Sequence, residues 1–188
     1  MVKVQRFKGF LAAQEHAAKV ISPPYDVLNT EEALIMAEGN ERSFLHVNKP
    51  EIDLPVGTNP YDDSVYAKGK ENLDKFVANG WLKEDEEAQM YVYTLHMGDH
   101  IQHGLMCLSS VDDYENNLIK KHEKTVEKKE LDRTKLTNIQ SANIGPVFLT
   151  YMGGEAITER INKIANETEP YSTVTTDDGI KHVLNRVS

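Results

Sequence analysis

Residues 89–111 carry the pattern that most limits what this chain can become. Tyr91, Tyr93 and Leu95 alternate with Met90, Val92 and Thr94, and a second run follows Gly98-Asp99. Period-two alternation on both sides of a two-residue turn specifies a β-hairpin. That turn pairs Met97 with His100 and Thr94 with His103. A second hairpin is expected over 171–176 and 180–187, turning at Asp177-Asp178-Gly179.

Helical signals interrupt the strands. Asn29 or Thr30 caps a helix reaching about Glu38, with Glu31 and Glu32 near its positive end. The clearest helix is expected over 60–79, with Asn59 as cap and Pro60 at the first helical position, where a missing N–H costs nothing. Val65, Gly69, Leu73 and Phe76 share one face of it. A glycine in that face implies close approach of another backbone. Asn79-Gly80 ends the helix. Further helices are expected over 11–19, over 127–142 with Leu131, Leu136, Ile139 and Ala142 on one broad arc, and over 154–165 with Ile157, Ile161 and Ile164 inward. Short strands are expected at 2–8, 43–47 and 146–151. Hairpins mixed with helices, without a regular βαβ rhythm, argue an α+β fold, with a mixed or mostly antiparallel sheet and flanking helices. The 188 residues are read as one domain, 1–188.

Composition excludes several classes. The net charge of −9 opposes the clustered Lys and Arg that nonspecific nucleic-acid binding needs, and the densest basic run, Lys120 to Lys129, is laced with Glu. No apolar run approaches the roughly 20 residues that span a bilayer. The N-terminus lacks a signal-peptide core, and the single cysteine, Cys107, cannot form an internal disulfide. The expected compartment is the cytoplasm, with neither nucleic acid nor membrane as partner.

The motifs for common chemistries are missing. Neither phosphate-loop glycine pattern is present, nor is the Gly-x-Ser-x-Gly esterase elbow. His96, His100 and His103 would tempt a metal assignment. On paired strands, however, His96 and His103 share a face while His100 points away, so three ligands do not converge and no metal site is expected. Cys107, between Met106 and Leu108, reads as a buried strand residue.

Two segments are chemically dense. In Ser22-Pro23-Pro24-Tyr25-Asp26 the prolines stiffen the backbone. The segment either presents Tyr25 and Asp26 as a pre-positioned hydrogen-bonding pair or is a stiff loop with Tyr25 packed on the core. In Lys120-Lys121-His122-Glu123-Lys124-Thr125, Lys and His suit an anion and Glu suits a base or the positioning of a hydroxyl; the alternative is a solvated charged loop. Asp132 and Arg133 follow on the next helix.

Six stretches in order then match a known pattern: Pro-Pro-Tyr-Asp-Val-Leu-Asn (23–29), Ser-Phe-Leu-His-Val (43–47), Pro-Tyr-Asp-Asp (60–63), His-Glu-Lys-Thr (122–125), Asp-Arg (132–133) and Ala-Asn-Ile-Gly-Pro-Val-Phe-Leu-Thr-Tyr (142–151). Together they resemble the bacterial and archaeal family called domain of unknown function 1015, over essentially the whole chain. Its members are typically about twice this length, so the resemblance implies that this chain is the N-terminal half of a longer protein, with its C-terminal half as a partner. Their second half carries an Asp-Gly-His-His-Arg motif similar to that of ParB- and sulfiredoxin-like proteins, which include nucleotide-dependent free-serine kinases. The implied activity is phosphoryl transfer from ATP or ADP, with Mg, to a small molecule such as serine. Positioning and charge neutralisation would dominate that chemistry. Lys121, His122 and Arg133 would then contact phosphate or substrate together with Tyr25, and Asp26 and Glu123 would serve the acceptor hydroxyl as catalytic groups. The alternatives are a noncatalytic nucleotide- or metabolite-binding regulator and a structural domain. The chain alone is expected to be inactive as a kinase, and to self-associate through surface that a missing half would cover.

Overall fold

A computed structural model describes residues 2–122 and 124–187. The elements run β1 (Val4–Gln5), β2 (Phe10–Ala12), α1 (Ala17–Val20), α2 (Thr30–Ala37), α3 (Leu45–Asn48), α4 (Asp63–Ala78) and β3 (Leu82–Glu84). They continue with β4 (Met90–Met97), β5 (His100–Met106), β6 (Leu108–Ser109), α5 (Val111–Glu115), α6 (Glu127–Gln140), α7 (Glu155–Glu167), β7 (Ser172–Thr175) and β8 (Lys181–Val187). Helices and antiparallel sheets of this kind make an α+β fold. No helix among the described residues is long and apolar enough to cross a membrane. The chain divides into two compact units. A sheet unit comprises 2–18, 83–122 and 148–187, and a helical unit comprises Lys19–Leu82 and Lys124–Val147.

The sheet unit is built on an antiparallel sheet in the order β5-β4-β8-β7. The register follows from its turns: Met97 pairs with His100 and Thr94 with His103. Gly98 and Gly179 adopt positive φ at the two turns, a conformation that glycine takes without a Cβ penalty. One sheet face carries Val92 and Val187, which pack with Ile161 of α7 and, at the margin, Met90, Leu105 and Ile164. Ile157, expected to face inward with them, is half exposed at the start of α7. The buried Asn185 amide donates to the Thr168 carbonyl at 3.1 Å and fastens the end of α7 to the sheet. On the opposite face the Tyr91 hydroxyl donates to Asp85 at 2.6 Å, and Arg186 pairs with the same carboxylate while lying 4.2 Å from the Tyr171 ring.

The helical unit centres on α4. Val65, Gly69, Leu73 and Phe76 are buried, as their spacing predicts. A Cβ on Gly69 would lie 2.8 Å from Gln140 Nε2, 2.9 Å from Pro50 Cγ and 3.3 Å from Leu136. The close approach at Gly69 is thus by side chains, not by a backbone. Ala33, Ala37, Leu45 and Ile52 form a second apolar cluster. Phe76 stands between Phe44 and Trp81 in edge-to-face contacts with centroids 6.0 and 5.1 Å away.

Several expected elements differ. Residues 43–47 form no strand: the chain turns into α3, whose amides bond back to Ser43, Phe44 and Leu45. The alternating burial of Ser43, Leu45 and Val47 mimics a strand over so short a span. Residues 146–151 form no strand either. No partner strand supplies ladder bonds among the described residues, and Val147, Phe148, Leu149 and Tyr151 are exposed. Of the expected helix at 11–19, β2 takes the first two residues, a turn follows at 14–16, and only α1 is helical. Helix α4 starts at Asp63, not Pro60, because Asp62 accepts from the Ser64 amide at 2.9 Å and is the better placed cap; Asn59 instead holds the preceding turn. Of the two caps expected for α2, Asn29 takes the role, with Glu32 completing a reciprocal capping box. Cys107 is half-buried, not buried, since it occupies the break between β5 and β6. The buried face of α6 follows the expected apolar arc only in part: Leu136 is buried together with the polar Gln140, while Leu131 and Ile139 are exposed.

Candidate functional site

Within the helical unit, three segments border a concavity of about 200 Å³. The first is the Pro-Pro-Tyr-Asp bend. Pro24 holds φ −56° and ψ 143°, and Tyr25–Val27 then makes one 3-10 turn closed by the Val27 amide on the Pro24 carbonyl. A fixed proline dihedral followed by a tight turn presents Tyr25 and Asp26 on a stiff bend. The second is the segment Asn48–Glu51. The third is α6, which contributes Lys129, Asp132, Arg133 and Leu136, with Tyr61 and Tyr66 completing the wall.

The positions on α6 follow helical geometry. Spacings of three and four residues place 129, 132, 133 and 136 on one face. Leu136 is buried beneath, so the three charged residues are held at the rim. Gln140 anchors the same helix by donating to the Val47 carbonyl at 3.3 Å.

The polar groups are tightly organised. Asp132 accepts from the Tyr66 hydroxyl at 2.8 Å and from Arg133 Nε at 2.8 Å. The Arg133 guanidinium also lies 4.1 Å from the Tyr25 ring centre, a cation–π distance. Burial, then the hydrogen bond to Asp132, pushes the Tyr66 phenol far above its ordinary pKa, so it is a committed donor and not an acid. Across the concavity Lys49 pairs with the buried Glu51 at 3.1 Å, and Thr30 donates to the same carboxylate. Asp26 and Lys129 have no ion-pair partner among the described residues.

A second network holds the Pro50–Asp53 turn in place. His46 Nδ1 lies 2.9 Å from Asp53 and its Nε2 lies 3.2 Å from the Asn40 carbonyl. Asn72 on α4 donates to both the His46 carbonyl and Asp53 at 2.7 Å. With an acceptor at each ring nitrogen, the doubly protonated imidazolium is favoured. Its pKa is raised, first by the Asp53 hydrogen bond and against the opposing effect of burial. Burial pushes Asp53 up, but His46 and Asn72 outweigh it and leave the carboxyl below its ordinary value.

Of the residues singled out in the sequence, Tyr25, Asp26 and Arg133 border this concavity together. Lys121 and His122 belong to the sheet unit, where Lys121 Nζ lies 4.7 Å from the Tyr114 ring centre. Glu123 lies outside the described residues. Sequence reasoning missed Tyr61, Tyr66, Lys129, Lys49 and Glu51. The 129–132–133–136 spacing was a readable signal, obscured because three of its four positions are charged and a search for apolar faces passes over them.

Neither a nucleotide nor a metal fits this donor set. A volume of about 200 Å³ falls below the roughly 300–1,000 Å³ of clefts that enclose drug-sized ligands. Among the described residues no three His, Cys, Asp or Glu side chains are grouped to hold a cation, and Asp132 and Glu51 are already committed to partners.

The site therefore defines an α+β protein with a small, doubly charged concavity on helical supports. The profile of the family described as "Protein of unknown function (DUF1015)" matches residues 4–188, and the chain belongs to that family. Searches of curated proteins and of solved structures find no significant match.

Proposed function

We propose that the helical unit binds a free amino acid of serine size, as the substrate-contacting part of a nucleotide-dependent small-molecule phosphotransferase. The observation that carries this reading is the charge left over in the concavity. Two of its cations and two of its anions neutralise each other, as Arg133 with Asp132 and Lys49 with Glu51. Among the described residues one cation, Lys129, and one anion, Asp26, remain. A zwitterion matches that residue of charge; a dianion does not.

In this reading Lys129 meets the substrate carboxylate, supported by the Arg133 guanidinium on the same helical face. Asp26 faces the ammonium and the hydroxyl, which sit on adjacent carbons of serine and are within reach of one carboxylate's two oxygens. Asp26 then holds the hydroxyl and accepts its proton as that oxygen bonds to the donor's terminal phosphorus, whose bond to the bridging oxygen breaks and releases the nucleoside di- or monophosphate. Tyr25 fixes Arg133 and forms the apolar side of the cleft. The resemblance to proteins with an Asp-Gly-His-His-Arg motif is what suggests phosphoryl transfer and serine; the donor and its metal require groups other than those of this concavity.

Calorimetric titration with L-serine is the test. Serine is expected to bind. Asp26→Asn and Lys129→Gln are each expected to weaken it about tenfold, as loss of one charge-assisted contact does. Absence of binding by serine and by every other small amino acid would overturn the reading. Formation of phosphoserine from ATP or ADP by the full-length protein separates the phosphotransferase from a second reading, a regulator that binds the amino acid without turning it over. The small volume is what supports that second reading, while the charge balance of the concavity supports amino-acid binding in both.

A further inference from the structure

The sheet unit holds a larger concavity, of about 460 Å³, between α7 and the sheet face that carries Val92 and Val187. Its size falls within the roughly 300–1,000 Å³ usual for small-molecule clefts. The sheet register explains its chemistry. Thr94 pairs with Val183 and His96 with Lys181, while Thr94 pairs with His103 on the other side. Directly paired residues share a face, and so do residues two apart along a strand. The face is therefore apolar towards Val92 and Val187, where α7 covers it, and basic towards His96, His103 and Lys181, where it opens into the groove. Asn162 and Asn166 line the groove from α7, and among the described residues no carboxylate lines it, in a chain with 30 Asp and Glu.

We infer that this groove binds a small organic anion, with a carboxylate or phosphate head held by His96, His103 and Lys181 and an apolar body against Ile101 and Val183. The site lies wholly within the sheet unit and does not depend on the amino-acid site proposed above. Its basic groups come from three strands, β4, β5 and β8; the facing α7 contributes amides and the neighbouring strand β7 contributes Thr173, without a charge. Thr94 Oγ1 lies 2.8 Å from His103 Nδ1. When the hydroxyl donates there, the ring proton resides on Nε2, leaving that nitrogen a donor for an acceptor oxygen. Burial, and then the neighbouring His96, depress the His103 pKa. An anion between the two rings relieves that repulsion and favours protonation.

Histidine-ring NMR on the whole chain tests this with three probes: inorganic phosphate, hexanoate and hexylammonium. Saturable shifts of the His96 and His103 rings are expected with at least one anion, and phosphate and hexanoate tell the two head groups apart. Lys181→Gln and His103→Gln should each weaken that binding about tenfold. Lys181 is exposed, so its replacement leaves the fold intact and keeps the test decisive if the His103 variant folds poorly. His100→Gln, on the opposite sheet face, should leave binding unchanged. The inference falls if neither anion moves the rings, if hexylammonium moves them as strongly, or if Lys181→Gln leaves the affinity as it was.

Discussion

The helical and sheet units bury polar groups in different ways. In the sheet unit, strand register brings them together: Thr94 and His103 pair directly across the β4–β5 hairpin, and Thr94 Oγ1 lies 2.8 Å from His103 Nδ1. In the helical unit, pairs such as Tyr66 with Asp132 or Gln140 with Val47 join segments far apart in sequence, and only packing sets their distance. Residue pairing within a hairpin is thus a local property. Convergence on a helical concavity is a tertiary one. The helical unit should accordingly be the more sensitive to changes at single packing junctions.

The largest expected effect tests that junction directly. Leu136 is 1% exposed and packs where α6 meets α4 at Gly69. Leu136→Ala should destabilise the helical unit by about 3 kcal/mol through lost burial and a residual cavity. The single tryptophan, Trp81, lies buried in that unit, so the denaturation midpoint of its fluorescence is the measurement. A loss below about 1 kcal/mol would mean that the junction readily repacks.

Asp85→Ala is the sheet unit's counterpart. It removes the acceptor of the Tyr91 hydroxyl and the partner of Arg186. Burial, then Asp85, pushes the Tyr91 phenol up to about 12, so the phenol remains a donor needing an acceptor. The expected cost is about 2 kcal/mol, discounted because Arg186 reaches solvent. Amide exchange along β4 and β8 measures it.

Gly69→Ala should cost about 1 kcal/mol. Crowding against Gln140 and Pro50 opposes the gain in helix propensity, and the proline ring cannot swing aside as a flexible side chain could. If the midpoint of Trp81 emission rises instead, α6 is free to shift and the helical unit is less tightly determined than its contacts imply.

The same contrast explains what the sequence disclosed. The β4–β5 register followed from Gly98-Asp99, and the start of α2 from Asn29 or Thr30, because each is settled within a few residues. Residues 43–47 misled because five alternating positions can bury the same side chains as strand or as one helical turn. Residues 146–151 misled because strand propensity has no effect without a neighbouring strand to complete the ladder. At the site, the rigidity of Pro23-Pro24-Tyr25-Asp26 was readable. The approach of Arg133 to Tyr25 depends on how α6 packs, which no local pattern encodes.

The smallest expected effect is also the sharpest comparison, because the two units should respond to pH with opposite signs. His46 in the helical unit has a raised pKa, chiefly through its hydrogen bond to Asp53. Its folded form holds a proton that the unfolded chain releases near 6.5, so this stabilisation is complete below 6.5 and fades as pH rises through the folded value. In the sheet unit His103 and His182 have lowered pKa values, each chiefly through burial. The unfolded chain binds their protons first, so stability is retained above 6.5 and lost as pH falls through the folded values. All three rings are partly exposed, and each effect should stay below about 1 kcal/mol. Histidine-ring NMR titration of the folded chain checks the direction for each ring. His46→Gln should abolish the fall in stability that Trp81 fluorescence registers above 6.5. If that fall persists in the variant, another group in the helical unit carries it, and the His46–Asp53 pair is only a packing contact.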